Sequence, residues 1–524
     1  MNALRKSWAI ISFSLLLFSQ AYGALPRGFK GKAAEPLGQS IAAIRPAKPA
    51  SGLLAPLPEA QPLPPQGPES RVLPPSPAVA YLKSLDKIRV YFANAPGYGH
   101  QMATLSIVRR LRELGFKGKI EGVYDAGRAF DGVMMPTKLG QLIPDFKPYQ
   151  GDDVQKIQSL GMTMRSFESF SKKGKRVPLA LTGGDDHIKF NMTERFKADV
   201  FLGLAPFDWQ AYEEKIWIKG KTGPMKIKYG NNPVFVYAPA RERIDAGYFA
   251  DLYQANVPKR KADGLALLHR EIGQHELLAA YGLHFFNAAM LHRLLLGISD
   301  SMDRSPNLYP RRGVVIPLLL DIENKIIELQ DCLRHPKLND DGLLGRILHI
   351  KRLWALKAAN ARLRERVQIA SITDRDLGEK LRRLKKNGIL ILKTGTVPPA
   401  VFEFLFAHST LPPTLEGSNA INLARLLGIP FLPVNSLAFE GLRSADAKTR
   451  AKKGLFLSGQ YDLKYKSDDY DFEHISAYIS AAMTPDSPLR RMFSAGKIRQ
   501  DDYTQDKLIS AVEFALPRLK AAKP

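Results

Sequence analysis

The stretch from Lys87 to Tyr124 limits the fold more tightly than any other part of the chain. Lys87-Ile88-Arg89-Val90-Tyr91-Phe92-Ala93-Asn94 is a β-branched and aromatic run of strand length. Ala95-Pro96-Gly97-Tyr98-Gly99-His100 supplies turn residues. Met102 to Leu114 then places apolar side chains at Leu105, Val108 and Leu111 with arginines between them, which is amphipathic helix spacing. Gly115 stops that helix, and Lys119 to Tyr124 is a second strand. Strand, glycine turn, helix and strand make a βαβ unit, and parallel strands so joined imply a parallel sheet.

Further strands are expected at Val177–Leu181, Val200–Leu204 and Val234–Tyr237, which gives a first Rossmann-like lobe over 85–260. Residues 261–368 read as a helical connecting region, with an amphipathic basic stretch from Arg346 to Arg366. A second Rossmann-like lobe over 369–470 is expected from the buried strand Ile389–Leu392, helices at Ala400–Ala407 and Ile421–Leu427, the stop at Gly428, and a strand at Pro430–Val434. Residues 471–524 read as a helical tail. The fold class is therefore α/β: two Rossmann-like lobes with a helical segment between them.

Ahead of the body, Met1 to Lys6 is basic, Trp8 to Phe18 is apolar, and Ala21-Tyr22-Gly23 offers small residues for cleavage after Gly23. This pattern predicts a secretory signal peptide over 1–23, too short to span a bilayer as a mature helix. Residues 24–80 form a Pro-rich linker expected to be disordered. Thirteen of the 37 prolines lie within 24–78, where they fix φ and remove donors. The mature protein is expected to be exported, periplasmic or secreted, and bacterial in style.

A chain of 524 residues with one cysteine, Cys332, can form no intramolecular disulfide and no cysteine-cluster zinc site. Cys332 reads as a small core residue. The formal charge is +25; nine Lys/Arg and three Asp/Glu in the first 85 residues leave +19 in the body. That charge favours an anionic partner, such as phosphorylated substrates or an anionic envelope or membrane surface, with nucleic acid the weaker option. Oligomeric state is not encoded in any readable pattern.

Two segments could carry chemistry. In the Gly97-Tyr98-Gly99-His100-Gln101 turn, glycines let backbone approach a ligand, and the helix start presents free N–H groups to an anion. Met102 stands where the dinucleotide fingerprint needs its third glycine. His100, at the carboxyl end of the first strand, suits proton abstraction near neutrality, or it simply caps and packs. In the second segment, Glu416, Gly417, Ser418 and Asn419 open a helix, where phosphate or ribose could bind, or where Ser418 or Glu416 is an ordinary cap. Thr394 and Gly395, after the buried strand, could line the same cleft, as could Asp185 in Gly183-Gly184-Asp185-Asp186-His187.

Other features are weaker. His275-Glu276-Leu277-Leu278-Ala279 lacks the second histidine of a zinc-protease helix, and Asp374-Arg375-Asp376 reads as a helix start rather than a metal site. No Gly-x-Ser-x-Gly nucleophile elbow occurs.

The Gly-x-Gly-His turn after a strand, together with Glu-Gly-Ser-Asn before Leu-Gly-Ile-Pro and a strand, resembles the GT-B glycosyltransferases over about 75 residues in two patches. The resemblance implies a sugar nucleotide as substrate, an acceptor hydroxyl, and no tightly bound cofactor or metal. It implies His100 as the general base and Glu416 as the ribose ligand, with Gly417, Ser418, Thr394 and Gly395 beside the phosphates. The rival expectation is a non-catalytic exported protein that clamps an anionic ligand or envelope component between the same lobes.

Overall fold

The computed structural model describes residues 76–95, 97–128, 132–148, 154–184, 191–205, 214–230, 233–240, 244–255, 257–282, 288–319, 323–334, 356–415, 417–433 and 472–521. The signal peptide, nearly all of the Pro-rich segment, Asp185, Glu416 and the end of the expected second lobe (434–470) lie outside them.

The described chain opens with helix α1 (Pro77–Ser84). Ser76 Oγ accepts from the Ala78 N–H, and Pro77 occupies the first turn. Pro77 is thus a helix starter rather than a linker residue, since its missing N–H is an orphan there anyway. The first lobe then runs β1 (Lys87–Phe92), α2 (Gly99–Glu113), β2 (Lys119–Tyr124), α3 (Met135–Leu142), β3 (Gln155–Ile157), β4 (Met162–Ser166), β5 (Val177–Gly183), β6 (Ala198–Leu204), β7 (Lys215–Ile218) and β8 (Met225–Lys226). The sheet order is β3-β4-β2-β1-β5-β6-β7-β8. Its centre, β4-β2-β1-β5-β6, is parallel, and antiparallel strands finish both edges. Strand order reverses between β1 and β5. There α2 packs so closely that a Cβ on Gly183 would lie 2.5 Å from Ala103 and Thr104 backbone.

Val234–Tyr237, expected as a strand, makes only an isolated bridge to Asp506. All four side chains are buried, so the apolar signal was real; it marks a buried crossover between lobes.

The expectation of a helical connector over 261–368 is corrected. Between α4 (Lys259–Glu271) and α5 (Ala288–Arg304) lies β9 (His275–Leu277), and β10 (Arg312–Leu318) follows. Both are strands of the second sheet. β11 (Val367–Ser371), β12 (Ile389–Lys393), α6 (Pro399–Ala407), β13 (Thr414–Leu415), α7 (Ser418–Leu427) and β14 (Leu432–Pro433) complete it. The ladder β11-β12-β10-β9 is parallel, and Ala280 bridges both Leu318 and Thr414, which joins the parallel pair β13-β14 to its far side. Strand order reverses here between β9 and β13. A continuous apolar run such as Val314–Leu319 reads equally as buried helix or buried strand, and Pro317 argues against a central strand. The backbone accommodates it through its carbonyl, which accepts from the Ala280 N–H at 3.0 Å.

The tail does more than close the second lobe. α8 (Phe472–Met483) packs on α5, but α9 (Lys507–Ala521) returns to the first lobe, where Leu508, Ile509, Val512 and Ala515 enter its core. Arg110 Nε donates to Asp506 Oδ2 at 2.8 Å and Lys507 Nζ pairs with Glu214 Oε1 at 2.8 Å, all four side chains being buried. Cys332 is half-buried against the second core. Among the described residues no helix is long and apolar enough to cross a membrane.

One glycine holds α4 against the second sheet. A Cβ on Gly264 would stand 1.8 Å from the Ile372 carbonyl oxygen. Alanine would gain about 1 kcal/mol in helix propensity, yet backbone cannot yield as a side chain can. Gly264→Ala is expected to lose about 2 kcal/mol net, read as a shift of the urea midpoint at unchanged m; a stabilised variant would refute this packing.

Candidate active site

Two helix starts meet in the cleft between the lobes. α2 begins at Gly99, immediately beyond the carboxyl end of β1, and α7 begins at Ser418, immediately beyond β13. Each therefore stands at the point where its sheet reverses strand order, the place where open α/β sheets bind ligands. Asn419 Nδ2 donates to the Gly99 carbonyl at 2.7 Å, tying one start to the other across the cleft. Neither helix is capped by its N-cap side chain. Tyr98 makes no capping bond, and Gly417 has no side chain to offer. The N-terminal ends of both helices, with the positive ends of their dipoles, thus come together where Asn419 meets Gly99.

The glycines are there for the backbone. Gly97 has φ +65° and Gly417 has φ +77°, in the region that L side chains enter only under strain. Gly97 is half-buried and its carbonyl accepts from Lys138 Nζ at 3.0 Å. Gly99 is exposed and lines the cleft pocket. His100 is the second residue of α2 and half-buried; its carbonyl accepts from Thr104 Oγ1 at 3.2 Å. His100 follows the pocket-lining Gly99 in sequence and is not itself among the residues that line the pocket.

Two expected cleft residues turn inward instead. Gln101 is fully buried, and its amide donates to the Ala93 carbonyl at 2.8 Å, closing the end of β1. Thr394 is buried with its hydroxyl on the Leu318 carbonyl at 2.5 Å, so it locks β12 to β10. Gly395 follows with φ +62°, its N–H also on Leu318. The structure brings Gly99, Thr396, Val397 and Asn419 to one pocket, and Gly395 and Gly417 are not among the residues that line it. The juxtaposition of His100 with Glu416 lies outside the described residues, as does any role of Asp185.

Two lysines missed by sequence reasoning charge the site. Lys138, fully buried on α3, reaches under the β1–α2 turn and donates to Ala95 and Gly97 carbonyls at 2.9 and 3.0 Å. Its ammonium lies 5.8 Å from the Tyr98 ring centroid. Lys261 on α4 donates to the Thr396 carbonyl at 2.5 Å. Nothing local marks Lys138 in the sequence. Lys261 did leave a signal: Lys259-Arg260-Lys261 is a cationic helix start, against the dipole. Such a cost is tolerated where something other than helix stability uses the charge.

Behind the cleft, Glu403 of α6 gathers three donors. Tyr237 Oη donates at 2.8 Å, the Ala240 N–H at 2.7 Å, and Arg109 of α2 lies at 3.4 Å. Burial, then the charge of Glu403, pushes the Tyr237 phenol well above its ordinary value.

The pocket at this meeting point has a cavity volume of about 60 Å³ and is lined on the first-lobe side by Tyr98, Gly99, Met102 and Leu142. Its second-lobe wall includes Tyr281, Leu319, Val397, Phe402 and Asn419. Asp374, weighed as part of a metal motif, is engaged elsewhere: it accepts from the Ser371 N–H at 3.0 Å and from Lys380 at 2.9 Å. Among the described residues no group of three His, Cys, Asp or Glu could hold a metal ion.

No family model matches this sequence, and no curated protein is similar to it in sequence. Among solved structures the chain is similar to the N-terminal domain of Candida albicans trehalose-6-phosphate phosphatase, at 8% identity over 84% of this chain and 98% of that one, with a TM-score of 0.37. It is similar to a trehalose-6-phosphate protein from E. coli bound with UDP-2-fluoro glucose, at 11% identity over 84% and 100%, TM-score 0.35. It is also similar to α,α-trehalose 6-phosphate synthase from Burkholderia multivorans, at 13% identity over 84% and 72%, TM-score 0.28. Likenesses this low say nothing of chemistry, which has to come from the site itself.

Proposed function

We propose that the chain is a GT-B-like glycosyltransferase, exported through its signal peptide, that transfers a sugar from a nucleoside diphosphate donor to an acceptor hydroxyl. The observation that carries this reading is the pair of helix starts, one from each lobe's reversal point, tied by Asn419 to Gly99. A diphosphate placed there meets the positive dipole ends of two helices, with Lys138 and Lys261 behind them. This substitutes for a metal in stabilising the leaving charge.

In the transfer, the acceptor oxygen forms a new bond to the anomeric carbon and its proton passes to His100. The bond from that carbon to the phosphate oxygen breaks, and its electron pair leaves with the nucleoside diphosphate. Glu416 is assigned to the ribose hydroxyls.

A whole sugar nucleotide needs a site of roughly 300 Å³ or more, several times the cavity of about 60 Å³, so the donor is placed along the helix starts outside that pocket. UDP at a hundred times its Kd is expected to stabilise the protein by about 2.7 kcal/mol, read as a rise in Tm. His100→Ala should keep that rise and lose transfer. Absence of stabilisation by every nucleoside diphosphate would overturn the reading.

A further inference from the structure

The cleft pocket is walled almost entirely by carbon. Met102, Leu142, Tyr281, Leu319, Val397 and Phe402 are among the residues that line it, and Tyr281 and Phe402 pack edge to face with ring centroids 5.1 Å apart. The polar groups of the lining residues belong to Gly99, Thr396, Asn419 and the hydroxyls of Tyr98, Tyr237 and Tyr281. Among the described residues that line it there is no Asp, Glu, His, Lys or Arg.

A phosphate, carboxylate or ammonium pushed into the apolar part of the pocket, away from the helix starts, would surrender its hydration with no side-chain charge among the described lining residues to replace it, which costs several kcal/mol. A free sugar would leave most of its hydroxyls unpaired against the same wall. An alkyl or phenyl group gains there for the opposite reason, since it leaves water without losing a hydrogen bond. The cavity of about 60 Å³ exceeds several water-sized volumes yet falls short of the roughly 150 Å³ that holds a benzene ring. An alkyl end enters as the pocket stands, and a ring enters once the flexible Met102 side chain swings aside.

Resting on the transferase reading, we infer that this pocket is the acceptor subsite and that it selects a neutral alcohol with an apolar body. The body fills the pocket between the lobes. The hydroxyl stays at the polar rim formed by Gly99 and Asn419, one residue from His100. Its position decides the role: a donor diphosphate is drawn to the helix starts, and the apolar space beside them is left for the second substrate.

The test uses the full chain and saturation-transfer NMR with n-hexanol, p-cresol, glucose and glucose 6-phosphate as probes. Hexanol and p-cresol are expected to bind at least tenfold more tightly than either sugar. Leu142→Trp and Val397→Phe, which fill the pocket from opposite lobes, should each weaken alcohol binding at least tenfold and leave UDP stabilisation unchanged. Equal or tighter binding of the sugars by wild-type protein overturns the inference whether or not the filled variants fold. So does alcohol binding that the filled variants retain. If the alcohols bind in a pocket-dependent way but no nucleoside diphosphate does, the transferase reading falls and the ligand class of the pocket stands.

Discussion

Glu403→Ala is expected to lose about 3–5 kcal/mol of stability, the range for breaking a buried charge network by deleting one partner. Glu403 is 2% exposed and sits on the second lobe's α6. Its partners come from elsewhere: Arg109 from the first lobe's α2, Tyr237 and the Ala240 N–H from the crossover between lobes. Deletion strands a buried phenol, a backbone donor and a largely buried guanidinium together, and each pays its own desolvation. Glu403→Gln keeps an acceptor for Tyr237 and is expected to lose less. Urea unfolding followed by far-UV signal and by tyrosine fluorescence measures both. Because the network spans the lobes, the alanine variant should also separate the two transitions. A loss below 1 kcal/mol would mean that these groups find water instead, and the network would not couple the lobes.

The first lobe was legible because its signals are local. Lys87–Asn94, Val177–Leu181 and Val200–Leu204 each read as short apolar runs between glycines or polar turns, and each lies on a central parallel strand. The second lobe hid its beginning. His275–Leu277 is only three residues long, and β10 carries a proline, Pro317, one residue before its end. Neither has the length or alternation that periodicity needs. The turn glycines of the site were readable as backbone requirements, and Gly97 and Gly417 do take positive φ. Side-chain direction was not readable. Gln101 and Thr394 are polar residues beside a cleft, and only the packed sheets decide that both face carbonyls inside. Lys138 has no sequence signature at all, since the carbonyls it serves lie more than 40 residues away.

Acidification from pH 7 to pH 5 is expected to remove about 2 kcal/mol through His275 alone. This side chain is 0% exposed on β9, and neither ring nitrogen has a hydrogen-bond partner among the described residues. Burial first, then the charge of Arg312, pushes its pKa down to about 4 from the ordinary 6.5. Between those two values the unfolded chain binds the proton and the folded chain refuses it. The stabilisation is therefore complete above pH 6.5 and drains away as pH falls towards 4. Three more second-lobe histidines act in the same direction: His292, His408 and His269 are each held below the ordinary value, chiefly by burial. Asn360 at His292 and Asp245 near His269 oppose the shift in part, whereas Arg311 near His408 adds to it. Thermal unfolding of wild type and His275→Leu between pH 7.5 and 4.5 separates their contributions. The variant's curve should be flatter by nearly one proton per molecule around pH 5.5, and parallel curves would refute the assignment. β9 leads within four residues to Tyr281 in the pocket wall. Acid that loosens β9 should consequently loosen the pocket as well, and binding of n-hexanol is expected to fall along the same titration that weakens the fold.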